Sequence, residues 1–156
     1  MKAATVKELK VELKDQTQAE LIEICLRLSK FKKENKELLT YILFESYDES
    51  EYINQIKTEV TDQFKAINTN SFFYIKKSVR KILKQIKTYA RYSGKKETEV
   101  ELLLFFCSEL KALRPSIKHN VILTNLYNRQ IISIKKSIST FHEDLQYDYL
   151  QELNQL

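Results

Sequence analysis

The sequence predicts an all-α fold of six to eight helices, in a single bundle or a short α-solenoid-like (armadillo- or HEAT-like) array. Three observations carry this reading. One Gly and one Pro in 156 residues leave little material for hairpin turns or Gly-rich loops. Apolar residues recur at three- and four-residue spacing along most of the chain. A hydrophobic fraction of 43% beside 30% charged residues suits a folded chain large enough to bury a core. Residues 1–156 are therefore expected to form one helical domain, with an acidic segment at 143–156 packed on it or extending from it.

The elements follow from spacing and caps. A first helix over 6–14 places Val6, Leu9 and Leu13 on one side. Thr17 is placed to cap a second, whose Leu21, Ile22, Cys25, Leu26 and Leu28 span a wide apolar face. A polar joint at 32–35 leads to a third helix with Leu38, Leu39, Ile42, Leu43 and Phe44. Asp48 or Ser50 starts a fourth through Ile53, Ile56, Val60, Phe64 and Ile67. Asn68-Thr69-Asn70-Ser71 breaks the chain, because these side chains compete with the backbone for its hydrogen bonds. A fifth helix runs over 72–92, and Gly94 is placed to end it. Thr98 with Glu101 reads as a capping box for a sixth. That helix is apolar nearly all round over 102–107 and belongs at the centre of the core, with Pro115 beyond its end. A seventh covers 120–141 and an eighth, half-exposed, finishes the chain. Cys25 and Cys107 both sit in apolar helical patterns and are expected to be small core residues rather than a disulfide.

Charge is distributed unevenly. Residues 65–96 carry ten basic side chains and no acidic one, whereas the remaining 124 carry 16 basic and 21 acidic. On a helical wheel at ~100° per residue, Lys76, Lys87, Arg80, Arg91 and Lys84 fall within an arc of ~80°, and Lys77 and Lys81 extend its edge. Ile75, Val79, Ile82, Leu83, Ile86, Tyr89 and Ala90 occupy a separate arc. The basic line is ~22 Å long at 1.5 Å per residue, a length suited to a phosphate backbone. Tyr74 and Tyr92 lie near its edge, where they would stack on bases. Lys118, Arg129, Lys135 and Lys136 would widen the patch. Lysine outnumbers arginine by 21 to 5, which favours backbone contact over the reading of base edges.

The expectation is thus a non-catalytic binding protein that holds RNA or DNA through its fifth helix. The alternative is a protein-interaction or structural domain, self-associating or with an acidic partner, in which the stripe meets acids such as Glu143, Asp144, Asp148 and Glu152. A third reading leaves the stripe solvated or paired with the chain's own acids, Glu97, Glu99 and Glu101 among them.

Catalytic and metal chemistry find little footing. The two histidines, His119 and His142, lack metal-ligand spacing to Cys or His, and His142-Glu143-Asp144 reads as a helix junction. No Glu-x-x-His motif and no Gly-rich phosphate loop occur. No enzyme activity, cofactor or metal is expected. The longest apolar run is six residues, against ~20 for a membrane span. With no signal-peptide core at the N-terminus, the cytoplasm is the expected location.

Two resemblances add to this. Thr5-Val6-Lys7-Glu8-Leu9-Lys10-Val11-Glu12-Leu13 with Ala19-Glu20-Leu21-Ile22-Glu23 resembles the SAP module, whose helix–extended loop–helix binds DNA. SAP modules carry a longer linker with a Gly and a basic residue. Here the joint is only Asp15-Gln16-Thr17-Gln18, so the stretch is read as a helical hairpin. The segments Phe31-Lys32-Lys33-Glu34-Asn35-Lys36-Glu37-Leu38-Leu39, with Phe44-Glu45-Ser46, and Phe141-His142-Glu143-Asp144-Leu145-Gln146-Tyr147-Asp148-Tyr149 are similar to small uncharacterised all-helical bacterial proteins of unknown function. That similarity implies a cytoplasmic bacterial setting and no site residues.

Overall fold

A computed structural model describes residues 1–156. The fold is all-α, with no strand. The order is α1 (Val6–Lys14), α2 (Gln18–Phe31), α3 (Lys33–Thr40), a π-helical turn (Tyr41–Glu45), α4 (Glu49–Lys65), α5 (Phe72–Ser93), α6 (Lys96–Ala112), a 3₁₀ turn (Ile117–His119), α7 (Val121–Ile138) and α8 (Glu143–Asn154). The chain divides into two compact units, Met1–Phe44 and Glu45–Leu156.

In the second unit, α6 is the axis of a bundle. It packs against α4, α5 and α7, and α8 packs on α7. The reason is compositional: Val100, Leu102, Leu103, Leu104, Phe106, Cys107 and Leu110 of α6 are all buried, so every side of the helix needs an apolar neighbour. Phe106 meets Phe64 of α4 with ring centroids 5.8 Å apart and tilted by 55°, a geometry favoured by the ring quadrupoles. Asp48 caps α4 by accepting from the Glu51 amide, and Asn120 caps α7 by accepting from the Leu123 amide. Gly94 ends α5 at φ 68°. Nothing stands within 4 Å of where its Cβ would be, so the left-handed backbone is what calls for glycine there.

The start of α6 departs from expectation. Thr98 and Glu101 form no capping box, since the helix begins at Lys96 after Lys95, which makes no side-chain cap. Thr98 instead lies buried in the first turn and donates its hydroxyl to Glu49 Oε1 at 2.6 Å. Glu101 accepts from Lys57 Nζ at 2.6 Å. A long-range acceptor has taken the hydroxyl that a local cap would have used.

The first unit is differently built. Thr5 and Thr17 head α1 and α2 with reciprocal capping boxes to Glu8 and Glu20. Within the unit α2 packs on α3, held by Asn35 Nδ2 donating to the Leu28 carbonyl at 2.9 Å, while α1 packs along neither. None of the three helices has a buried residue. Cys25 is consequently exposed and not in a core, whereas Cys107 is fully buried. Burial pushes the Cys107 thiol up to about 12, so it stays protonated and inert.

Candidate nucleic-acid interface

α5 is the longest helix of the second unit, and its two faces are set by its sequence. Ile75, Val79 and Ile86 are fully buried, with Ile82, Leu83 and Ala90 nearly so. Fixing that arc in the core turns the opposite arc outward. Lys77, Arg80, Lys81, Lys84, Lys87 and Arg91 are exposed, and Lys76, at the border of the buried arc, is half-buried.

None of these seven cations makes an ion pair. The ion pairs join Lys33 to Glu37, Lys57 to Glu101 and Lys95 to Glu49. Of the ten basic residues in 65–96, Lys95 is thus held by an acid of the same unit. Glu59 of α4 accepts from the side-chain amides of Gln63 and Gln85 and makes no ion pair with the stripe. Seven cations therefore stand in line with no carboxylate at ion-pair distance, and like charges lie three or four residues apart.

Aromatic groups border both ends. Tyr74 is exposed and packs edge-on against Phe73, centroids 5.5 Å apart at 79°. Tyr92 is half-buried beside Tyr89, at 6.0 Å and 43°, so its ring is less open than that of Tyr74. Phe73 is the residue that sequence reasoning passed over. It is 67% exposed and stands three, seven and eleven residues before Lys76, Arg80 and Lys84, which puts it in the middle of the basic arc. The wheel that located the cations would have located it too. An exposed phenylalanine in a line of cations is the pairing used to stack bases while holding phosphates.

Arg129, Lys135 and Lys136 lie on α7 and Lys118 in the 3₁₀ turn before it, and both α5 and α7 pack chiefly on α6. Lys118 belongs to a separate surface cleft with Lys111, Arg114, His119 and Tyr127, whose lining contains no carboxylate. Arg114 is partly committed there, donating to the Ala112 and Leu113 carbonyls.

The opposite charge collects around α8. Tyr149 has its phenol pushed up by burial and then by Glu101, Glu97, Glu152 and Asp148. His142 is the N-cap of α8, accepting from the Asp144 amide, which makes His142-Glu143-Asp144 a helix junction. No three His, Cys, Asp or Glu side chains converge as a metal site, and no helix is long and apolar enough to cross a membrane. No family model, curated protein or solved structure matches the chain.

Proposed function

We propose that the chain is a non-catalytic binding protein whose α5 tracks the phosphate backbone of RNA or DNA. The observation that carries it is the unneutralised line of Lys76, Lys77, Arg80, Lys81, Lys84, Lys87 and Arg91 on a helix fixed by its buried face. The test is fluorescence anisotropy against short single- and double-stranded RNA and DNA over a salt series. Five to seven phosphate contacts give a log–log salt slope of about −3.5 to −6. Arg80→Glu/Lys84→Glu/Lys87→Glu should abolish binding with helicity unchanged. Binding that ignores salt, or survives the triple substitution, refutes the proposal.

A second reading has its own observation in the negative field around Tyr149. There the stripe meets an acidic protein surface, α8 of another copy included. It predicts an association that salt dissolves and that Glu143→Lys/Asp148→Lys/Glu152→Lys removes, with nucleic-acid affinity unchanged.

A further inference from the structure

Residues 1–44 pose a question independent of the basic stripe. Three helices of 9, 14 and 8 residues leave every side chain at least partly open to water. Helices shorter than ~12–15 residues are marginal on their own, and packing of an apolar face normally holds them. Two such faces are open in this unit. On α1, Val6, Leu9 and Leu13 recur along one side and are 83%, 50% and 40% exposed. Between α2 and α3 runs an apolar groove of about 260 Å³ floored by Cys25, Leu28, Leu38, Leu39 and Ile42. The unit thus contains both an unpacked amphipathic helix and a groove of matching character. The joint between α1 and α2 is the three residues Asp15, Gln16 and Thr17.

We infer that residues 1–44 are a homodimerisation module in which α1 of one copy lies in the α2–α3 groove of a second, which returns the contact. Area supports this occupant. Val6, Leu9 and Leu13 of the stripe and Leu28, Leu38 and Ile42 of the groove are 38–83% exposed, which offers on the order of 600 Å² of apolar surface per copy on the two docking faces, in keeping with the apolar share of the about 800 Å² per partner in a stable interface. Charge supports it as well. The unit carries nine basic and seven acidic residues, and α1 mixes Lys7, Lys10 and Lys14 with Glu8 and Glu12. At a net charge of +2 with the signs interspersed, two identical units meet with little repulsion, whereas a lipid-binding helix would show a strongly basic polar face. The two-fold exchange is isologous and closes at two copies.

The native chain should sediment at twice 18.6 kDa at micromolar concentration, equally at 0.15 and 1 M NaCl. Leu9→Glu/Leu13→Glu should give a monomer whose second unit melts as before. Placement is read by mixing a Leu9→Cys/Cys25→Ser chain with the native one under mild oxidation. A disulfide from the thiol introduced at position 9 of the variant to Cys25 of the native chain is then possible only between copies, and buried Cys107 stays silent. A cross-linked heterodimer supports the inference. A native monomer at 50 μM overturns it, as does a dimer that survives Leu9→Glu/Leu13→Glu or dissolves in 1 M salt. Retention of the native chain on neutral phosphatidylcholine vesicles without dimerisation overturns it in favour of a lipid occupant.

Discussion

Glu49 is where α4 is tied to the turn between α5 and α6, and removing its carboxylate should loosen the second unit measurably. Oε1 accepts from the hydroxyls of Ser93 and of Thr98, and Oε2 accepts from Lys95 Nζ at 3.0 Å. Thr98 is only 2% exposed, so Glu49→Ala strands a buried hydroxyl, at a cost of about 1–3 kcal/mol. The Lys95 pair has a half-exposed ammonium and contributes about 0–1 kcal/mol. Glu49 also opens α4, where a negative charge on the first turn is worth roughly 0.3–1 kcal/mol. Glu49→Ala should therefore cost about 2–4 kcal/mol, whereas Glu49→Gln, which keeps an acceptor for Thr98, should cost only about 1. Urea unfolding followed by circular dichroism at 222 nm reads both, and a cycle with Thr98→Val should return a coupling of about 1 kcal/mol. The reasoning fails if Glu49→Ala changes stability by less than ~0.5 kcal/mol, or if Gln costs as much as Ala.

Two further outcomes can be checked. Hydrogen bonds from Thr5 hold the Glu8 carboxyl below its ordinary value of 4.5, and those from Thr17 do the same for Glu20. A depressed carboxylate stabilises above its unfolded value and loses that contribution as pH falls through its folded value, so the starts of α1 and α2 should fray only in acid, below pH 4.5. Amide shifts of residues 5–8 and 17–20 between pH 7 and 2 report this, and Thr5→Ala or Thr17→Ala should return the matching carboxyl upward; titration at the ordinary value in the native chain would contradict the caps. Lys84→Glu should raise the urea midpoint while weakening nucleic-acid binding, because it turns like-charge contacts with Arg80, Lys81 and Lys87 into attractive ones worth roughly 0.2–0.5 kcal/mol each. Loss of stability and binding together would mean that Lys84 serves the fold.

Element boundaries are legible in the sequence wherever a local rule acts. Thr17 with Glu20, Asp48, Asn68-Thr69-Asn70-Ser71 and Gly94 punctuate the chain within a residue or two of where helices start and stop. The central place of α6 follows from its apolar circumference. Local rules misread Thr98 because its acceptor, Glu49, lies 49 residues away, and none of them sees that distance. Cys25 is misread for another reason. Periodicity says which side of a helix is apolar, and it does not say whether anything covers that side. For the stripe, the wheel separates the cations from the buried arc, but only coordinates tell whether acids of the chain reach them.

The energetics of α5 bear on why that last point matters. Among its seven cations, seven pairs stand three or four residues apart: 76–80, 77–80, 77–81, 80–84, 81–84, 84–87 and 87–91. At 0.2–0.5 kcal/mol each they oppose the helix by roughly 1.5–3.5 kcal/mol. Full burial of Ile75, Val79 and Ile86 opposes this with about 1.5–3 kcal/mol per side chain, so the helix tolerates the stripe. Stability therefore gives no reason for the charges to be there, and no carboxylate of the chain stands at ion-pair distance from them. A partner that brings negative charge would relieve all seven repulsions at once. The same term that weakens the free helix becomes part of the affinity, so α5 should resist unfolding better when bound than the contacts of any single lysine would suggest.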